Sequence, residues 1–462
     1  MLIKYIAVAV ILVNSIFSEP VDVNKYLPKE WRGMVKNVKV HSDIGMTIYD
    51  FLRRYNYHYE NHWISTEDGY KLLLHRIPYG QNQSVPDTKP RPVVLIMHGL
   101  GASSLNWIIK GPNDALGLAL ADQGYDVWLG NTRGNRYSRN HERLNPDIDT
   151  TEFWDFSFEL TGRYDVAAKI DYILKQTGQQ KLFYIGHSQG TSQFFALTSL
   201  RPEYNDKVAL MTALAPIAYL EHLSSPILRL AADNIALLQT LVNIFNIHEF
   251  SQSPLTNTLV GLVCAKESPL KDICSTYTFL TSGFDHQEFD EGFLPLYLSH
   301  VGVGMSINML LHFGQEIKSH HFRRYDYGRE KNLKIYHTAA PPDFNLSAVT
   351  APVALYYAKN DFLSSVKDVE RLISELPNVN KTRLIENRRW NHIDFIVAND
   401  VHDVINKDII AHLQTFIDDG ALDPTTSEPM SSTTERIKGS SDRIISQSVY
   451  TLIMTVMLVL YY

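Results

Sequence analysis

The sequence predicts an α/β fold: a mostly parallel sheet with helices on both faces, interrupted by an inserted cap. Three observations predict it. Short runs of mainly apolar residues recur at Val93–Met97, Tyr125–Leu129, Leu182–Ile185, Val208–Leu214 and Val353–Ala358. A continuous apolar run of strand length is what a strand buried on both faces requires. Helical patterns alternate with these runs, at Asn113–Gln123, Asp165–Gln176 and Thr191–Leu200, and such alternation builds a parallel sheet covered on both sides. From about Ile217 to Thr350 the rhythm stops, then resumes at Val353. That stretch therefore reads as an insertion between two strands of one sheet; the alternative is an independent second domain.

Taken in order, Asn61–Pro78 alternates around a turn at Glu67-Asp68-Gly69 and predicts a β-hairpin. Val93–Met97 ends in His98-Gly99-Leu100-Gly101, and Tyr125–Leu129 is followed by Gly130-Asn131-Thr132-Arg133-Gly134. Gly124 and Gly178 stand just past the two helical patterns that precede them, where a helix is stopped. Within the insertion, Leu228–Phe250 is mainly apolar, with Arg229, Asp233, Thr240 and Asn243 close to one stripe at helical spacing. After Val353–Ala358 come Ser365–Leu376 as a helix, Thr382–Ile385 as a last short strand, and Val401–Ile417 as a closing helix.

With 462 residues, 45% of them hydrophobic, the chain can bury a large core. Its net charge is −7 and it has no long basic run, which argues against a nucleic-acid partner. Lys4, the apolar run Tyr5–Val13 and a small residue at Ser18 predict a secretory signal over 1–18; with Ile16 two before it the small-residue rule is only half met, and the alternative is a permanent N-terminal anchor. Cys264 and Cys274 are the only cysteines. In a secreted chain that pair suggests one disulfide closing a small loop, with two buried thiols as the alternative. Asn82, Asn345 and Asn380 each sit in a glycosylation triplet.

The chemistry centres on Leu182–Gly190. A strand-forming run enters Gly186-His187-Ser188-Gln189-Gly190, and a helical pattern follows at once. Strand, Gly-x-Ser-x-Gly turn and helix together hold a serine in a strained conformation with its hydroxyl projecting from the sheet. The glycines let strand and helix approach closely, and the helix adds its positive end near a developing oxyanion. A serine hydroxyl needs a base, and the base needs an orienting carboxylate. In this architecture they follow in the order serine, acid, histidine, each after a strand. Asp361 follows Val353–Ala358 and His392 follows Thr382–Ile385, so Ser188, Asp361 and His392 fit. Among 18 histidines, His402 is the rival base; Asp343 and Asp394 are the rival acids. The backbone N–H of Gln189, next to the nucleophile, and that of Leu100, after an earlier strand, are the candidate oxyanion donors.

Thr66-Glu67-Asp68-Gly69-Tyr70, His98-Gly99-Leu100, Leu129-Gly130-Asn131-Thr132-Arg133-Gly134, Gly186-His187-Ser188-Gln189-Gly190 and Trp390-Asn391-His392 occur together in this order. From about Tyr55 to Ile417 the chain resembles the acid lipase family of α/β hydrolases, which includes gastric and lysosomal acid lipases. The resemblance implies an α/β-hydrolase fold with a lid-bearing cap, which Leu228–Phe250 would supply. It implies hydrolysis of triacylglycerols or cholesteryl esters at a lipid–water interface, by a Ser188–Asp361–His392 triad with Leu100 and Gln189 as oxyanion hole. It also implies a cap disulfide similar to Cys264–Cys274, and neither a metal nor an organic cofactor. The alternative on the same fold is a non-catalytic lipid-binding or adhesion protein. Gly101 stands where the family usually has a bulkier residue, which implies an altered acyl pocket.

The tail lies outside the family pattern. Pro424–Thr434 is dense in Ser, Thr and Pro, as in an O-glycosylated stalk. Small residues Gly439–Ser441, a polar spacer and the apolar run Val449–Tyr462 have the order of a glycolipid-anchor signal, with a transmembrane anchor as the alternative. The expected organisation is a signal peptide at 1–18, core at 19–216 and 351–420, cap and lid at 217–350, stalk and spacer at 421–448 and apolar tail at 449–462. The expected location is the secretory route, ending outside the cell, on its outer surface through a C-terminal membrane anchor, or in the lysosome.

Overall fold

The computed structural model describes residues 38–39, 41–81, 90–252, 254–284, 290 and 292–422. The predicted signal segment, Asn82 and everything from 423 onward, including most of the stalk and the whole apolar tail, lie outside the described residues.

The hairpin strands are β1 (Glu60–Ser65) and β2 (Tyr70–Ile77), antiparallel. Then come β3 (Val93–Met97), β4 (Asp126–Gly130), the two-residue β5 (Asn140–His141), β6 (Leu182–His187) and β7 (Val208–Leu214). The short pair β8 (Glu249–Phe250) and β9 (Met305–Ser306) forms a separate small sheet. β10 (Val353–Ala358) and β11 (Val379–Ile385) complete the main sheet. Its order is β1-β2-β4-β3-β6-β7-β10-β11, with β5 paired to β2. From β4 to β11 every pairing is parallel.

The continuous apolar runs have a direct cause. β3, β4, β6, β7 and β10 are buried along their whole length. Alternate residues feed opposite cores: Val94, Ile96, Phe183 and Ile185 on one face, Leu95, Met97, Leu182 and Tyr184 on the other. Full burial of such side chains is worth about 1.5–3 kcal/mol each. β11 is the edge strand, half in solvent, and therefore tolerates Asn380 and Lys381. It begins three residues earlier than its apolar part predicts.

The helices that cover the sheet include α1 (Leu116–Asp122), α2 (Ala167–Thr177) and α3 (Gln189–Leu200). α2 is preceded by a π-helical turn, Thr161–Val166, and stopped by Gly178 at φ 69°. Between β7 and β10 the chain is mainly helical: α4 (Pro226–Asp233), α5 (Ile235–Ile244), α6 (Pro254–Val263), α7 (Lys271–Ser282) and α8 (Ile307–Ser319) are its longer elements. α9 (Val366–Glu375) and α10 (Lys407–Asp418) close the fold. The apolar stretch Leu228–Phe250 is not one helix. It breaks at Asn234 with a 70° bend between α4 and α5. The Asn234 side chain donates back to the Leu230 carbonyl, the kind of local bond by which Asn competes with a continuing helix. Cys264 and Cys274, ten residues apart, are joined by a disulfide across a Cα–Cα distance of 5.6 Å. Closing a loop of that size is worth about 3 kcal/mol.

Candidate active site

Ser188 lies between β6 and α3 with φ 54° and ψ −120°. This is a strained geometry for a residue with a Cβ, of the kind that costs about 1–3 kcal/mol and persists only when the surroundings impose it. The surroundings here are crowded backbone. A Cβ on Gly186 would sit 2.8 Å from the Gly190 carbonyl carbon, and one on Gly190 would sit 2.6 Å from the Met97 carbonyl oxygen. Both glycines are therefore steric requirements of the turn.

The loop after β3 comes to the same point. A Cβ on Gly99 would lie 3.2 Å from the Ser188 Cβ and 3.1 Å from the His187 Nδ1. The backbone N–H groups of Leu100 and Gln189 donate to no protein acceptor among the described residues. For Gln189 the reason is its place as first residue of α3, where N–H groups have no partner within the helix. Two free donors thus flank the serine, an arrangement suited to an oxyanion.

The loop is pinned through His98. Its Nδ1–H donates to the Gly99 carbonyl oxygen at 2.8 Å, and its Nε2 accepts from the Thr132 N–H and the Asn135 Nδ2, both at 3.2 Å. Burial pushes His98 down to about 4, so the neutral ring keeps one donor and one acceptor face near neutral pH.

Asp361 and His392 meet in the loops after β10 and β11. The His392 Nδ1 lies 2.9 Å and 3.1 Å from the two Asp361 carboxylate oxygens. The Asp361 Oδ1 also accepts the N–H groups of Leu363 and Ser364 at 2.8 Å. His187, the residue before Ser188, reaches the His392 carbonyl oxygen with its Nε2 at 2.9 Å, and the two rings stand 5.0 Å apart. Burial, with a smaller push from His392, lowers His187 to about 3, so it acts there as a neutral donor. The rivals stand elsewhere. Asp343 is exposed and pairs with His321; Asp394 accepts the Asn391 N–H; His402 lines a surface cleft with Asp114 and Asp403.

The insertion holds these loops in contacts that sequence reasoning missed. The Ser282 carbonyl, at the end of α7, accepts the N–H groups of both Phe362 and His392 at 3.2 Å. Gly283 follows at φ 121°, and a Cβ there would lie 2.1 Å from the Asn360 carbonyl oxygen. Gly101 stands at φ 67°, and its carbonyl accepts from the N–H groups of Gly302 and Val303 at 2.7 and 3.1 Å. The space a larger side chain would take at Gly101 is bounded by Gly302 and Met305.

A profile described as alpha/beta hydrolase fold matches residues 92–396, and one described as partial alpha/beta-hydrolase lipase region matches residues 48–111. The chain is 38% identical over 372 residues to human gastric triacylglycerol lipase, covering 80% of this chain and 91% of that one. It is 38% identical over 376 residues to Drosophila melanogaster lipase 3, covering 81% and 93%, and 34% identical over 383 residues to human lipase member K, covering 83% and 94%. The chain belongs to the acid lipase family of α/β hydrolases. As a member of that lipase family it is a carboxylic ester hydrolase.

Proposed function

We propose that this lipase hydrolyses neutral lipid esters, triacylglycerols or cholesteryl esters, through an acyl-enzyme on Ser188. The observation that carries the reading is the Asp361–His392 pair, tied through His187 to the residue that follows it, a strained serine with free amides nearby. The His392 Nε2 takes the proton as the Ser188 Oγ attacks the ester carbonyl carbon. Asp361 keeps the Nδ1 proton in place and stabilises the imidazolium that forms. The N–H groups of Leu100 and Gln189 hold the oxyanion. Collapse expels the alcohol, which takes its proton from His392, and water then repeats the sequence on the acyl-enzyme.

We assign the core to 19–216 and 351–420 and the cap to 217–350. Within the cap, Leu237, Ile244 and Phe245 are exposed apolar side chains on or just after α5. A water-soluble esterase has no need of such a face, whereas an enzyme working at a lipid surface uses it to dock. Rates on emulsified long-chain esters should therefore rise sharply once substrate exceeds its solubility, and this rise should be lost in Ile244→Ser/Phe245→Ser. A smooth saturation curve, the same in both proteins, contradicts the reading.

The secretory route is supported by the disulfide, which persists in oxidising compartments, and by exposed side chains at Asn345 and Asn380. Membrane attachment rests on the sequence of Gly439–Tyr462. Phosphatidylinositol-specific phospholipase C should release the enzyme from expressing cells; surface protein that resists release points to a transmembrane anchor instead.

A further inference from the structure

Lys169, on α2, is fully buried, and its ammonium has no hydrogen-bond acceptor among the described residues. A lysine in that state costs stability, since lysines are almost never fully buried without a partner. Departures from that rule concentrate at functional sites. The surroundings of Lys169 indicate its use.

Its side chain runs past the C-terminal ends of β3 and β4. Gly130, paired with Met97 in the sheet, is packed by both side chains: a Cβ there would meet the Met97 Sδ first and would lie 3.2 and 3.3 Å from the Lys169 Cδ and Cε. One turn earlier, in the π-helical turn that precedes α2, is Asp165, also fully buried. The Arg133 Nε donates to the Asp165 Oδ1 at 2.6 Å, and the Arg133 backbone N–H to its Oδ2 at 2.9 Å. The two terminal nitrogens of Arg133 reach both oxygens of Asp68 at 2.6 and 2.9 Å. The guanidinium lies 3.8 Å above the centre of the Tyr70 ring. Two carboxylates, the buried Asp165 and the partly exposed Asp68, thus share one arginine, and the ammonium of Lys169 brings the four groups to neutrality. Without it the Asp68–Arg133–Asp165 cluster carries one excess negative charge, at its partly exposed Asp68 end.

The cluster is joined to the site by backbone. Arg133 follows Thr132, whose N–H is held by the His98 Nε2; His98 in turn bonds the Gly99 carbonyl, just before the Leu100 amide. We propose that Lys169 is a positioning residue for the oxyanion loop: its charge balances the Asp68–Arg133–Asp165 cluster and so keeps the Arg133 loop, His98 and the Leu100 amide in register with Ser188. This inference rests on the Ser188 mechanism proposed above.

The groups that face Lys169 are Asp165 in the π-helical turn before α2, Arg133 beyond β4 and His98 beyond β3. Burial lowers Lys169 from 10.5 to about 8, against the pull of Asp165 and with a smaller push from Arg133. Below about pH 8 the ammonium is present and the cluster is balanced; above it the charge is lost. The folded protein therefore binds fewer protons than the unfolded chain between about 8 and 10.5. The cost of burying Lys169 is present in full below that window and relieved across it.

The test is Lys169→Met, read with a soluble short-chain ester and by thermal melting from pH 6 to 9.5. At pH 6 the variant should melt above the wild type, while its kcat falls by about tenfold or more with KM unchanged. That loss is smaller than the 10²–10³ seen when an oxyanion donor is itself removed. Wild-type kcat should fall with a midpoint near pH 8 towards the level of the variant, whose own profile lacks this limb. A variant with full kcat, one that melts below the wild type or fails to fold, or one that keeps the alkaline limb overturns the proposal. Absence of that limb in the wild type overturns it whatever the variant does. Failure of the Ser188 mechanism is distinguishable, because the wild type would then react with no serine-directed probe at any pH.

Discussion

Replacing Ser188 with alanine should leave a folded protein whose ester turnover has fallen by about six orders of magnitude, the scale seen when a triad nucleophile is lost. Alanine keeps the Cβ, so the turn at φ 54° is no more strained than before. The crowded contacts of Gly186, Gly190 and Gly99 are untouched. Melting temperature should therefore stay near that of the wild type. What disappears is the only oxygen at that position that can form the acyl bond. A residual rate about 10³–10⁴ above that in water should persist, from the amides of Leu100 and Gln189 acting on a bound substrate. Turnover by Ser188→Ala within tenfold of wild type contradicts the mechanism.

Asp361→Asn should have the next largest effect, a fall of about 10⁴ in kcat with KM little changed. The Asp361 Oδ1 already accepts two backbone N–H groups, from Leu363 and Ser364. An asparagine satisfies these best by placing its own oxygen there, which turns its NH₂ toward the His392 Nδ1. That nitrogen must then accept instead of donate, so the ring proton moves to Nε2. The nitrogen facing Ser188 carries a proton and no longer acts as a base. The geometry survives while the chemistry does not, so circular dichroism should be unchanged. A loss below tenfold would place the orienting acid elsewhere, with Asp343 and Asp394 the first to examine.

The strands were legible because burial on both faces forces a continuous apolar run, as in Val93–Met97 and Val353–Ala358. The serine turn was legible because its signal is local: strand, two sterically required glycines, helix. Asp361 and His392 were reachable from the order of loops after strands, but His402, Asp343 and Asp394 fitted the composition equally well. Three-dimensional contact favours one pairing: of the three acids, Asp361 is the one hydrogen-bonded to the His392 Nδ1. Two-residue strands such as Asn140–His141 carry no period to detect. The bend at Asn234 was hidden because the apolar spacing continues through it. Gly283 looks like an ordinary turn glycine, and Gly101 stands out only against the family pattern; the close contacts of both come from backbone segments far away in sequence. Lys169 was the least legible of all. A lysine within a helical pattern reads as solvated, and only the packing of Gly130 and the Arg133 loop reveals it as buried.

The central claim is that Ser188 is the nucleophile, and a fluorophosphonate probe with peptide mapping tests it most directly. The account predicts a single adduct on the wild type, carried by the peptide containing Ser188 and absent from Ser188→Ala. No adduct on the wild type, an adduct on another residue, or equal labelling of Ser188→Ala would contradict it.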